Sequence, residues 1–317
     1  MIEFAMSNVP LLTKKIIEDE GDNDYSGTEA QASGGSNQPG IVIAPGCGDP
    51  LGAVLIERAG FEVCFMSGYA VEATYGRPDV GLLTLVEMAG RAAQICDVTS
   101  IPLIADADTG YGNVVNVTRT TREFERAGVA AIQLEDQILP KKCGSMKGKG
   151  VVSVEEMVGK IKAVIDARTD PNLQIIARTD IAAIEGMNAV SDRLAAYREA
   201  GADLLMALGP YSEAEVRTFV AHATGPVAYL NSESFTMPML PSDQLESMGV
   251  KLLILPLSLT MSCIHAMQQT LDVIRNNKAD TRAFAAHSMA TWADCNEITG
   301  IDDIMRIERS FGPDRSR

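Results

Sequence analysis

From residue 41 onward, short apolar runs alternate with amphipathic stretches in eight repeats of one unit. The runs occupy residues 41–45, 62–67, 102–106, 130–135, 174–179, 202–208, 226–231 and 252–257. Each is a continuous apolar stretch, the pattern of a strand covered on both faces. Between them, residues 84–96, 117–127, 154–167, 189–200, 213–223, 242–248 and 259–276 carry apolar side chains at helical spacing. Ser, Thr, Asn or Asp often opens these segments and Ala-Gly or Met-Gly often closes them, as helix caps do. Strand and helix in alternation imply a parallel sheet covered by helices, and eight units imply that it closes. The expected fold class is α/β, a (β/α)8 barrel of the TIM type over residues 41–278. An open doubly wound sheet is the competing arrangement, but no GxGxxG follows the first run and no switch point stands out.

Residues 1–40 and 279–317 lie outside the repeat. Leu11, Leu12, Ile16 and Ile17, interleaved with Lys and Glu, predict one short amphipathic helix over 9–20. Residues 19–40 contain almost nothing apolar to offset the entropy of ordering them, so they read as a flexible linker. Past residue 278, helices are expected at 283–293 and 302–310. Trp292, Ile301 and Ile304 give them apolar faces that need a partner, for which another subunit is expected.

A chain of 317 residues with 46% hydrophobic content suits one large barrel or two ordinary domains. The formal net charge of −15 argues against nucleic acid or an anionic membrane as partner and leaves a small molecule. Cys47, Cys64, Cys96, Cys143, Cys263 and Cys295 are scattered without a CxxC pair, which reads as reduced thiols and no zinc site. Neither a run of about 18 apolar residues nor a secretory pattern at Met1 is present. The expected location is the cytoplasm, with an organelle not excluded.

In such a barrel the chemistry sits at the C-terminal ends of the strands. There the sequence places Ser67 and Gly68 (second strand), Asp106 and Asp108 (third), Glu135 and Asp136 (fourth), and Arg178 and Asp180 (fifth). Carboxylates at the end of a buried strand need a cation, and Asp and Glu oxygens without nearby His or thiolate clusters suit Mg2+, with Mn2+ as the alternative. An isolated DxD is equally well explained as a helix cap and a turn former before Gly110. The loop from 137 to 152 holds three glycines, four lysines and Cys143, a composition able to fold over a polyanion and exclude water. Taken alone, Cys143 also fits the part of a small buried filler. Asp49 reads as the cap of the next helix. His222, His265 and His287 fall on helices, away from the strand ends.

Together, ADADTGYGN, QLEDQ, KKCG, IIARTD and SGYAVEATYGRPD resemble the isocitrate lyase/phosphoenolpyruvate mutase superfamily. Within it, the methylisocitrate lyase, dimethylmalate lyase and oxaloacetate acetylhydrolase branches are nearest. The resemblance implies a Mg2+-dependent barrel and a homotetramer whose C-terminal helices are exchanged between subunits. It implies that Asp108 binds the metal directly, with Asp106 and Glu135 acting largely through water. Asp79 would complete the metal shell and gate the substrate; Ser67, Gly68 and Tyr69 would bind a substrate carboxylate; Arg178 would bind substrate oxygens. Cys143 would be the catalytic thiol, with Lys141 beside it in the catalytic set, and Gly144, Ser145, Asn231 and Glu233 would contact substrate. The implied reaction is cleavage of the C2–C3 bond of a 2-hydroxy di- or tricarboxylate through an enolate stabilised by metal and Arg178. Lys141 and Lys142 beside Cys143 predict a thiol titrating near neutrality, suited to proton transfer.

Two positions depart from the pattern. Ser145 stands where the lyases usually carry His, and Leu208 where the sixth strand usually ends in Glu. In the seventh unit, Tyr229-Leu230-Asn231-Ser232-Glu233 replaces the common Ala-Asn-Met-Val-Glu. These changes imply a larger or more apolar substrate, or a reaction needing less proton shuttling. A C–C hydrolase of the oxaloacetate type and a catalytically silent ligand-binding member are the competing functions.

Overall fold

The computed structural model of the chain describes residue 12 and residues 40–209, 211–234 and 236–313. The helix expected over 9–20 and the linker over 19–40 therefore lie outside the described residues, apart from the core residue Leu12 and from Gly40. Two compact units divide the chain, Met1–Thr260 and Met261–Arg317.

The first unit is built on eight strands: β1 Val42–Cys47, β2 Cys64–Met66, β3 Leu103–Asp106, β4 Ala131–Glu135, β5 Gln174–Thr179, β6 Leu204–Ala207, β7 Val227–Leu230 and β8 Val250–Leu255. All pairings are parallel, each strand bonds its neighbour in sequence, and β8 returns to β1, closing the barrel. This is the (β/α)8 arrangement expected from the periodicity. Strands β2 to β7 are buried along their whole length, which explains why they read as continuous apolar runs. Burying each Val, Leu, Ile or Phe contributes about 1.5–3 kcal/mol, set against the conformational entropy of ordering the chain.

Between strands, helices form where caps and spacing direct them. Helix Val154–Ala167 starts at Ser153, whose hydroxyl accepts from Glu156 N, and buries Met157, Ile161 and Val164 on one stripe. Helix Val114–Ala127 begins with a reciprocal Asn113/Asn116 box and ends at Gly128, where φ of 90° favours glycine. Asp49 is indeed a cap: its Oδ1 accepts from Gly52 N at 2.8 Å and starts helix Pro50–Arg58. Helices Gly68–Thr74 and Ala182–Glu185 lack a long periodic signature and were not anticipated.

The second unit contains most of helix Ser258–Asn276, followed by helices Arg282–Ser288, Trp292–Ile298 and Ile301–Phe311. The single helix expected over 283–293 is thus two. Met289 is extended, and Thr291, capped reciprocally with Asp294, starts a new helix.

Candidate active site

The side chains singled out by the motifs converge at the C-terminal mouth of the barrel because strand register brings them there. Asp106 is paired in register with Gln133, and Glu135 with Arg178. Side chains of paired residues point the same way in a parallel sheet. Gln133 Nε2 accordingly donates to Asp106 Oδ1 at 3.4 Å, and Arg178 Nη1 lies 2.9 Å from Glu135 Oε2. Asp136, one residue on, faces the helix layer instead. It accepts hydrogen bonds from Thr179, Arg193, Tyr197 and the Asp180 amide, a structural role.

Asp106 is held on both oxygens, by Asp108 N on Oδ1 at 3.1 Å and by Gly68 N on Oδ2 at 3.3 Å. Gly68 cannot carry a side chain here, since a Cβ would meet Asp106 Oδ2 at 2.8 Å and Asp108 Oδ1 at 3.5 Å. Ser67 caps helix Gly68–Thr74 through a bond from Ala70 N at 3.3 Å, so its hydroxyl already has a partner. Asp108 and Glu135 are buried, and burial, the largest influence, raises both carboxyls: Asp108 to about 6, Glu135 well above the usual carboxylate range. Lys141 opposes the rise at Asp108, and Arg178 and Lys141 oppose it at Glu135.

The Lys141 ammonium sits between Asp79 and Asp108 Oδ1, 2.7 Å from the latter. Burial disfavours its charge, but Asp108 and Asp79 outweigh that and hold it protonated. Arg178 is also buried; Asp180 and Glu135 overcome the penalty of burial and raise its pKa. Asp180 accepts from Arg178 Nε at 3.0 Å and from Lys149 Nζ at 2.5 Å, tying the 137–152 loop to the guanidinium. The same loop is joined to the Asp79 loop by Cys143 N donating to Asp79 O at 2.9 Å.

These residues border a cavity of about 540 Å3. Of the expected site residues, Tyr69, Asp79, Asp106, Cys143, Gly144, Ser145 and Arg178 line it. Asp108, Glu135, Lys141 and Gly68 lie against that lining, behind the surface that faces the cavity. Asn231 and Glu233 are placed elsewhere. The Asn231 amide clasps the Leu240 backbone at 2.8 and 3.1 Å, and Glu233 accepts from Ser258. Alternation along the chain turns their neighbours Leu230 and Ser232 to the cavity instead. Ser145 Oγ bonds Ser234 Oγ at 2.6 Å and approaches Thr236 Oγ1 at 3.3 Å, a hydroxyl cluster that no motif signalled. Leu208, Leu230, Met237 and Leu257 add apolar side chains to the lining, Leu208 beside Gly144.

The expectation for the thiol is corrected as well. The thiol of Cys143 does not titrate near neutrality: burial, then Asp79, push it upward, and the nearby cations are engaged elsewhere. Lys142 turns away to Gly148 O at 2.8 Å, and Lys141 is occupied by Asp79 and Asp108. None of the three histidines lines the cavity.

The donor set fits a hard divalent ion. Glu135 Oε1 and Gln133 Oε1 are buried without hydrogen-bond partners, an arrangement that a cation or its waters would satisfy, while Asp108 Oδ1 is paired with the Lys141 ammonium. Among the described residues no three Asp, Glu, His or Cys side chains converge tightly enough to ligate an ion together. An ion held here would draw part of its coordination shell from water or substrate.

A closed parallel barrel with an acidic, arginine-braced mouth and a lysine-rich loop joined to it is the arrangement of a barrel enzyme. The profile of the phosphoenolpyruvate phosphomutase family matches residues 36–275. The chain belongs to this family, within the phosphoenolpyruvate mutase/isocitrate lyase superfamily, and is of the carbon–carbon lyase type. It is 42% identical to a 2,3-dimethylmalate lyase of Eubacterium barkeri over 87% of this chain and 95% of the relative. Among solved structures, an oxaloacetate acetylhydrolase in complex with 3,3-difluorooxalacetate superposes with a TM-score of 0.81 at 30% identity, covering 87% of this chain and 94% of the other. A phosphonopyruvate hydrolase complexed with oxalate and Mg2+ superposes with a TM-score of 0.78 at 29% identity, over 86% and 94% of the two chains. No helix among the described residues is long and apolar enough to cross a membrane.

Proposed function

We propose that the protein is a Mg2+-dependent lyase cleaving the C2–C3 bond of a 2-hydroxy di- or tricarboxylate, of the methylisocitrate or alkylmalate kind. The products are a 2-oxo acid and a second carboxylate. The observation that carries this reading is one cavity in which Cys143, Arg178, Asp79 and Asp106 face the same space. When bound, Mg2+ supplies the positive charge that stabilises oxyanions of the substrate, and Mn2+ is an alternative. Asp108 would hold the ion directly, and Asp106 and Glu135 would hold it through water.

Arg178, kept charged and fixed in direction by Asp180 and Glu135, binds a substrate carboxylate and stabilises the charge that develops on it. Lys141 acts by holding Asp79 and Asp108 in place. The substrate hydroxyl gives its proton to a carboxylate on the cavity wall, Asp79 or Asp106, and becomes the carbonyl of the 2-oxo acid. As the C2–C3 bond breaks, its electron pair stays on C3, which takes a proton from Cys143 Sγ. A raised thiol pKa suits this step, because the acid must be protonated at neutral pH. Closure of the 137–152 loop through Lys149 and Asp180 keeps water from that carbon.

The likeness to oxaloacetate acetylhydrolase supports a C–C hydrolase as the second reading. Both are tested by NMR of the protein with isocitrate, 2-methylisocitrate, 2,3-dimethylmalate, other 2-alkylmalates and oxaloacetate, first with Mg2+ and then with EDTA. Metal-dependent release of a 2-oxo acid supports the lyase, while oxalate with acetate supports the hydrolase. Loss of turnover in Cys143→Ala with metal binding retained is expected; full activity in that variant refutes the thiol's role.

The assembly proposed is a cytoplasmic homotetramer with exchanged C-terminal helices. Support comes from the second unit, where Met267, Leu271, Trp292, Ile304 and Phe311 are all exposed, Trp292 at 82% and Phe311 at 83%. Sedimentation of the full chain and of Trp292→Lys tests it.

A further inference from the structure

We propose that Lys160 is a positioning residue for the metal site: its ammonium pins the strained turn that aims Asp108. This inference rests on the reading of Asp108 as a metal ligand.

Between Asp108 and Gly112 the backbone runs through four positive φ angles: 48° at Asp108, 82° at Gly110, 58° at Tyr111 and 148° at Gly112. Two of these residues carry side chains, which disfavour that conformation, so the surroundings must enforce it. Backbone bonds contribute, from Glu135 N to Asp108 O at 2.9 Å and from Gly110 N to Ala107 O at 3.0 Å. Two side chains from the helix layer add to them. Thr120 Oγ1 donates to Gly110 O at 3.0 Å, and Lys160 Nζ donates to Thr109 O at 3.0 Å.

Lys160 stands on helix Val154–Ala167, the helix that follows β4. It is 2% exposed, a placement lysine rarely takes without a strong partner. Its ion pair with Glu156 is weak by geometry, 3.8 Å to a side chain that is 48% exposed. Burial lowers its pKa, Glu156 and then the Asp136 and Glu135 charges oppose that, and the bond to Thr109 O is its short direct contact. Thr109 immediately follows Asp108 and its carbonyl belongs to the Thr109–Gly110 peptide, so the bond anchors the turn one residue beyond the Cα that carries the ligand side chain. No step of the proposed reaction uses Lys160, and it does not line the cavity.

The test is Lys160→Met, which keeps chain length and removes the donor, with Mn2+ binding to the full chain measured by calorimetry and thermal unfolding followed in EDTA. Outer partners of metal ligands typically alter affinity by about 10- to 100-fold, so the Mn2+ Kd is expected to rise at least about tenfold. Glu156→Gln, which leaves the Thr109 bond intact, should bind Mn2+ as the wild type does. A lower melting temperature with unchanged Kd would mean a merely structural lysine and overturn the proposal, as would an equal loss of affinity in Glu156→Gln. If Lys160→Met fails to fold, Thr120→Val removes the other side-chain anchor of the turn; a wild-type Kd there overturns the proposal. A wild-type protein that binds no Mn2+ refutes the metal reading itself, and this inference with it.

Discussion

Adding one methyl group at Gly144 tests whether the 137–152 loop closes against the barrel as described. A Cβ there would lie 2.1 Å from Leu208 Cδ1 and 2.9 Å from Arg178 Nη2, where ordinary contact is 3.4–4 Å. Leu208 can rotate toward the cavity, but Arg178 is held by Glu135 and Asp180 and cannot yield without breaking ion pairs. Overpacking of this kind costs about 1–3 kcal/mol. At about 1.4 kcal/mol per tenfold, Gly144→Ala should shift the loop from closed toward open by about 5- to 150-fold. The loop's lysines make trypsin a direct reporter, because cleavage follows the open population when opening is fast. Initial nicking at Lys147 should accelerate by that factor as long as the closed form dominates, and kcat/KM should fall only once the open form becomes a substantial fraction. Leu208→Ala in the same chain removes the closer contact and leaves the one to Arg178, so it should restore protection in part. The coupling should be about 0.5–3 kcal/mol in the double-mutant cycle. Wild-type nicking in Gly144→Ala, or strict additivity in the double variant, would refute this packing.

Two further outcomes follow from the buried acids. In the metal-free protein Asp108 titrates near 6 against an ordinary 3.8, so between those values the native state keeps a proton that the unfolded chain has released. Stability should therefore fall as pH rises from about 4 to about 6, by about 3 kcal/mol from this group. Urea unfolding in EDTA should show that slope flattened in Asp108→Asn, and parallel curves for the two proteins would contradict the assignment. For Cys143, whose thiol is held above 9.0 by burial and Asp79, alkylation by iodoacetamide should still climb about tenfold per pH unit between 7 and 9. Peptide mapping that shows a plateau below pH 8 would restore the activated thiolate expected from the flanking lysines.

The barrel was legible because its determinant is local and repeated. Fully buried parallel strands must be continuous apolar runs, and runs such as 174–179 and helices such as 154–167 were readable to the residue. The acidic and basic strand ends were legible for the same reason, since a charge that ends an apolar run is conspicuous. Less visible were short elements without a period, such as Gly68–Thr74, and the break at Met289 that splits the helix expected over 283–293.

The sequence by itself determined the fold class, the family and the end of the barrel where the chemistry lies, because periodicity and motif are properties of neighbouring residues. Only the tertiary structure decided which way side chains face and what charges surround them. A shift of one position sends Asn231 and Glu233 away from the cavity and brings Leu230 and Ser232 to it. The lysines beside Cys143 in the chain are engaged by Asp79, Asp108 and Gly148, so adjacency in sequence did not become proximity of free charge. Contacts such as Ser145 with Ser234, or Lys160 with Thr109, join residues 89 and 51 positions apart, and only chain closure brings them within hydrogen-bonding reach.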